Sequence, residues 1–253
     1  MGKRRLDAAA LVSTPIRKIL RLEPDRKKAV SVLGYPSAVP AAVCLSLRSH
    51  AAGRLADPAD PETSGTVVRR RRSMKLTGLD FETANFKRGS ICSAGCAVLE
   101  NGIVTEKREW LVRPHKSLDY VTAACYNVHG IGYYDLRRAP EFPEIWPVLG
   151  GMLQKAEYVV IHNAQFDLGH LRAALELYRL PAIRFQYVCS LAVSREKFPD
   201  AESHSLNAMA SIFDHEFRHH DALEDAQACA AILFKMKFEE KDVRMFDFHY
   251  EQN

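Results

Sequence analysis

The sequence predicts an α/β domain, a mixed five-stranded sheet flanked by helices, preceded by a weakly structured basic extension. Three observations predict it. Two apolar runs are joined by Glu100-Asn101-Gly102, a hairpin signal. Two later strand-like runs, Tyr158–Ile161 and Phe185–Val188, each accompany helical periodicity. The charge divides sharply: residues 1–73 carry 15 Lys+Arg against 6 Asp+Glu, a net of +9, while residues 74–253 carry a net of −5.

Residues 1–73 contain Lys3-Arg4-Arg5, the run Arg69–Arg72 and six prolines ending at Pro61, and nothing sustains an apolar period long enough for a core. Asp7 interrupts the approach to the short apolar stretch Ala8–Val12, against a secretory signal. An Arg-rich organelle presequence and a nucleic-acid-binding arm remain as readings. The favoured one places the true start at Met74, directly before the first strand, with residues 1–73 outside the working protein.

Leu76–Thr83 reads as the first strand and ends in carboxylates. Ser90–Leu99 and Ile103–Val112 follow as an antiparallel pair. Helical periodicity covers Phe142–Lys155, and the wholly apolar Tyr158–Ile161 suits a strand buried on both faces. A helix over Phe166–Tyr178, the strand Phe185–Val188, and helices over Ser205–Phe213 and Ala222–Lys237 complete the domain, residues 74–237. Residues 238–253 form a C-terminal tail whose Met245, Phe246, Phe248 and Tyr250 are expected to dock in cis.

Composition narrows the function classes. With 47% hydrophobic and 26% charged residues the chain can bury a core. No apolar run approaches the ~18 residues of a membrane span. Six cysteines show no CxxC pair, which argues against a disulfide scaffold or a closed zinc site and for a reducing, cytoplasmic setting. Cys92 and Cys96 read as small buried thiols.

Five residues carry chemistry. Asp80 and Glu82, two apart on a strand, leave the same face and repel unless a cation compensates them. Asp167 follows the buried strand by six residues; with Asn163 as N-cap it sits in the first turn of a helix, at the C-terminal end of a central strand. Asp221 and Glu224 fit the cap and N3 positions of a helix, which makes His220 and Asp225 the N′ and N4 pair expected to meet across the helix entry. Each feature alone has a plain structural explanation: a solvated strand end, a dipole-favoured acid, an entry residue. Together, four carboxylates from three separated elements need cations, and hard oxygen donors select Mg²⁺ or Mn²⁺. Two such ions beside an imidazole match two-metal phosphodiester hydrolysis.

Gly78-Leu-Asp-Phe-Glu-Thr-Ala84, His162-Asn-Ala-Gln-Phe-Asp167 and His220-Asp-Ala-Leu-Glu-Asp225 resemble, in order, the three motifs of the DEDDh (DnaQ-like) 3′–5′ exonucleases, and most of all proteins similar to the epsilon subunit of bacterial DNA polymerase III. The resemblance spans about Lys75–Lys237 and takes in His129-Gly130-Ile131 and Ser205-Leu206-Asn207; Gly132 stands where a hydroxyl residue is common. It implies a ribonuclease-H-like sheet and two divalent ions, one held by Asp80, Glu82 and Asp225 and the other by Asp80 and Asp167. It also implies His220 as general base, with Phe81, Thr83 and Ala84 receiving the terminal nucleotide and Phe166 stacking on a base. Single-stranded 3′ ends are the implied substrate, DNA favoured, with a DNA polymerase as a candidate partner. His162, His170 and His219 read as structural. The competing reading is a catalytically idle nucleic-acid-binding or polymerase-tethering module on the same fold; a missing carboxylate or histidine would favour it, and all five positions are filled.

Overall fold

A computed structural model describes residues 73–249. The expectations for residues 1–72 and for Tyr250 lie outside the described residues. Six strands form one sheet in the order β3-β2-β1-β4-β5-β6. β1 (Lys75–Thr83), β2 (Ile91–Glu100) and β3 (Ile103–Leu111) are an antiparallel meander. Asn101 and Gly102 both adopt positive φ, 54° and 84°, as the two-residue hairpin turn requires. β4 (Tyr158–Ile161) and β5 (Ile183–Cys189) run parallel to β1 through crossover segments.

The expected mixed sheet is present, with one strand more than the five read from sequence. β6 (Val243–Phe248), within the segment assigned to the tail, pairs antiparallel with β5. Phe246 stacks on Phe185 with ring centroids 4.9 Å apart, and Phe246 and Phe248 are both buried. The tail thus docks in cis because its alternate aromatics need the sheet face.

Helices cover both faces. In chain order they are α1 (Ala123–His129), α2 (Tyr133–Leu136), α3 (Phe142–Lys155), α4 (Ala164–Leu177), α5 (Ser190–Lys197), α6 (Leu206–Ile212) and α7 (Ala222–Met236). Leu79 and Phe81 of β1 join α3 and α4 in one core; Leu76 of the same strand joins α5, α6 and α7 in the other. Even-numbered residues of β1 therefore look towards α7.

Two glycines let α7 lie almost on the sheet. A Cβ at Gly78 would stand 1.9 Å from the Ala226 carbonyl oxygen, and one at Gly95 would stand 2.0 Å from that of Ala222. No side chain fits there, so the helix backbone touches β1 and β2 directly. Cys92 and Cys96 are fully buried, as expected. Among the described residues, no helix is long and apolar enough to cross a membrane.

Candidate active site

Close approach of α7 builds the site. Asp80 and Glu82 leave β1 on its α7 side, opposite Gly95 and Ser93 of β2. Asp221 caps α7, its carboxylate accepting from the Glu224 N–H at 3.1 Å, which fixes Asp225 in the first turn. Carboxylate oxygens of Asp80, Glu82 and Asp225 then all lie within 4.8 Å of one another.

Asp167 arrives from the other side of the sheet. Asn163 takes the left-handed conformation, φ 61°, before α4, and Asp167 follows in the first turn. The ladder between β1 and β4 ends at Gly78–Val160. Beyond it, the Phe81 N–H donates instead to Asp167 Oδ1 at 3.0 Å. The carboxylate is 2% exposed.

Crowding of these acids shows in their protonation. Burial, followed by the Asp167, Asp225 and Glu82 carboxylates, holds the Asp80 carboxyl well above the ordinary range. Burial and then Asp225 push Glu82 to about 7. Asp167 reaches about 8, burial outweighing the N–H groups of Phe81 and of its own backbone. Burial also raises Asp225, against the pull of the neighbouring His219 and His220. Such a set is strained when ionised without cations, and its hard oxygens suit Mg²⁺ or Mn²⁺. The donor chemistry fits divalent ions.

The histidine pair differs from expectation. His220 was expected to bring its imidazole against Asp225. Instead its backbone N–H donates to Asp225 Oδ2 at 3.0 Å, and the ring touching that carboxylate belongs to His219, Nδ1 to Oδ1 at 2.9 Å. The cause is a left-handed turn at His220, φ 65°, which sends its side chain into the cleft. The two rings stack at 3.9 Å, and their nitrogens lie within 4.8 Å of one another and of an Asp225 oxygen. Burial and then the His219 ring lower the His220 pKa.

A cleft of about 800 Å³ surrounds the carboxylates. Phe81, Thr83 and Phe166 line it; Ala84 does not, being fully buried in a cluster with Cys92 and Leu136. Phe81 packs its ring edge-on against Phe142, so it belongs to core and cleft floor alike. Phe166 is exposed and tilts over His170 at 4.7 Å. His129 closes one wall: Nδ1 accepts from the Ile131 N–H at 3.0 Å, leaving Nε2 to donate to the Thr83 carbonyl at 3.1 Å. At Gly132, where no hydroxyl is available, Asp135 reaches back to accept the Gly132 N–H at 2.8 Å. His162 and His170 have structural partners, Ser190 Oγ and the Gly89 N–H.

Sequence reasoning missed Phe86, Val128 and Arg195, which also line the cleft. Arg195 is the one Lys or Arg among the described lining residues. Phe86, six positions after Asp80 in a polar loop, is 80% exposed, a placement no local pattern announces.

Known proteins resemble this chain in sequence and in fold. The family model described as Exonuclease matches residues 77–233. DNA polymerase III PolC-type of Bacillus cereus is 28% identical over 158 residues, 61% of this chain and 10% of that protein. Its counterpart from Bacillus subtilis is 28% identical over 149 residues, 58% and 10%. The chain spans about a tenth of the length of these relatives. Among solved structures, Exonuclease X in complex with 5′ overhanging duplex DNA aligns with a TM-score of 0.52 at 21% identity, covering 64% of this chain and 90% of that one. A 3′-exonuclease recognising the 3′ end of a histone mRNA stem-loop aligns with a TM-score of 0.56 at 14% identity, covering 70% and 91%. These structural likenesses establish a shared fold.

Proposed function

The chain belongs to the exonuclease family, and from that premise we propose that it is a DEDDh-type enzyme that removes nucleotides from the 3′ end of single-stranded nucleic acid, with DNA favoured. The observation that carries this reading is the convergence of Asp80, Glu82 and Asp225 beside buried Asp167, with the His220 imidazole open to the cleft. The working unit is residues 74–237, with β6 docked on it and residues 1–73 as a basic extension outside it. A DNA polymerase is the proposed partner, supported by the similarity to PolC-type polymerases.

Asp80, Glu82 and Asp225 would hold one divalent ion, and Asp80 with Asp167 the other. Bound there, the ions supply charge neutralisation for the phosphate and acidify water. The protein does the rest. His220, kept neutral by its lowered pKa, takes the proton of the attacking water as its oxygen adds to phosphorus. The bond from phosphorus to the 3′ oxygen breaks, that oxygen takes up a proton from solvent to become the new 3′-hydroxyl of the shortened strand, and a 5′-mononucleotide leaves. Asp225 is held from two sides, by His219 and by the His220 N–H, so its geometry is set before substrate arrives. Phe81 and Thr83 floor the cleft where the terminal nucleotide sits, and Phe166 offers a ring face to a base.

The test is direct. Purified protein is incubated with 5′-labelled single-stranded DNA or RNA in Mg²⁺, Mn²⁺ or EDTA. A ladder shortening from the 3′ end with either ion, absent in EDTA and in Asp167→Ala, is expected. Cleavage that persists in EDTA, or folded protein that cleaves neither substrate, would refute the proposal.

A further inference from the structure

One exposed surface beside the cleft takes no part in the proposed chemistry. α1 contributes Val128 and His129 to the cleft, yet among its seven residues only Cys125 is buried. Around the helix from Val128, Tyr126 is 50% exposed, and beyond the turn at Gly130 the short α2 presents Tyr133 at 48% and Tyr134 at 78%. The two helices share this surface, because a Cβ at Gly132 would meet the Tyr126 ring at 3.4 Å. Tyr133 and Tyr134 stand edge to face with centroids 6.0 Å apart, and the Arg137 guanidinium lies 5.6 Å over Tyr134.

Three exposed aromatics and an arginine within twelve residues, Tyr126 to Arg137, do nothing for the core. α2 is anchored by Leu136 alone, in a small cluster with Ala84 and Cys92. A single nucleic-acid strand is what such a surface fits: every base has a face to stack on tyrosine, and guanidinium meets phosphate. The side chains of the cleft cannot themselves attract a polyanion strongly, since five acids there, Asp80, Glu82, Asp167, Glu202 and Asp225, face one arginine. Affinity beyond what bound ions supply must come from outside it, and this surface begins one helix diameter, ~10 Å, from Val128.

We propose that α1 and α2 form a stacking platform for the strand upstream of the 3′-terminal nucleotide, its bases on Tyr126, Tyr133 and Tyr134 and a phosphate on Arg137. The inference rests on the exonuclease reading of the cleft. Paired bases hide their faces, so the platform selects single-stranded over duplex ends.

Full-length wild type, Tyr126→Ala/Tyr134→Ala and Tyr134→Phe would be compared in two assays. One is anisotropy of a fluorescent single-stranded oligonucleotide, read with Ca²⁺ replacing the catalytic ions. The other is kcat/KM on that oligonucleotide and on the p-nitrophenyl ester of thymidine monophosphate, which carries no upstream strand. The double alanine variant should bind the oligonucleotide about tenfold more weakly, the scale of a lost base stack, and its oligonucleotide-to-ester ratio of kcat/KM should fall by a similar factor. Tyr134→Phe should retain both. Unchanged affinity and ratio would overturn the platform. So would a change of mass in light scattering that accounts for the loss, which would make the surface a contact between copies. Wild type that hydrolyses neither compound would instead overturn the exonuclease reading, and the binding assay would still decide the platform.

Discussion

Replacing Asp167 by Asn should stabilise the metal-free protein while destroying activity. The Asp167 carboxyl keeps its proton to about pH 8 in the folded state, against 3.8 for the unperturbed group. Folded protein without metal therefore loses stability as pH rises from about 4 towards 8, because the unfolded chain releases that proton first. Each unit is worth about 1.36 kcal/mol, so the shift sets a ceiling of about 6 kcal/mol on the cost of ionising this site. Asn keeps the shape and can still accept the Phe81 N–H, now at 3.0 Å from Oδ1, without the charge. The acids titrate as a coupled set, so part of that cost belongs to the pair and not to Asp167 alone, and the recoverable part is about 1–3 kcal/mol. At roughly 2–4 °C per kcal/mol for a domain of this size, the melting temperature in EDTA at pH 8 should rise by roughly 2–12 °C. The gain should shrink at pH 5, where wild type already carries the proton. Added Mn²⁺ should reverse the order, since an ion binding only the folded wild type adds its own stabilisation. Thermal unfolding by circular dichroism at the two pH values, with EDTA and with Mn²⁺, measures all of this. A lower melting temperature for the variant in EDTA at pH 8 would refute the account of repelling buried acids.

His220→Ala should lose roughly two to four orders of magnitude in kcat, the scale of a missing general base. His219→Ala, which only frees one side of Asp225, should lose less; the reverse ranking in single-turnover assays would exchange the two roles. Gly95→Ala should destabilise the fold by about 3 kcal/mol or more, as its Cβ would press into the Ala222 carbonyl and push α7 off the sheet; urea unfolding reads the loss. Ending the chain after Asp242 removes buried Phe246 and Phe248 and should cost about 3–6 kcal/mol at ~1.5–3 per side chain, seen as a lower urea midpoint. Deleting residues 1–73 should leave kcat and KM on single-stranded DNA unchanged; a large rise in KM would give the basic segment a role in binding.

Local patterns carried most of the sheet and the five candidate residues. The Asn101-Gly102 turn, the apolar Tyr158–Ile161 run and the Asp221 cap each act within one element or one turn, so spacing alone exposes them. α5 escaped because its buried positions include Ser190 and Ser194, which hide its period. β6 left a faint signal in the alternation of Phe246 and Phe248, but a six-residue strand at a sheet edge, preceded by a single 3-10 turn over Glu240–Asp242, has little local pattern to confirm it. The short α1 and α2 carry one buried residue each and so show no apolar face.

Sequence by itself determined which groups can do the chemistry: four carboxylates and an imidazole, each near the end of an element, in the order of a known exonuclease family. Only the tertiary structure decided how they meet. Gly78 and Gly95 admit the α7 backbone, so Asp225 reaches Asp80 and Glu82; the end of the β1–β4 ladder frees an N–H for Asp167. A left-handed residue hands the Asp225 contact to His219 and points His220 at the cleft. Spacing along a chain sets which side chains share a face of one element, whereas contacts between elements depend on how closely their backbones pack, and that is a property of the whole fold.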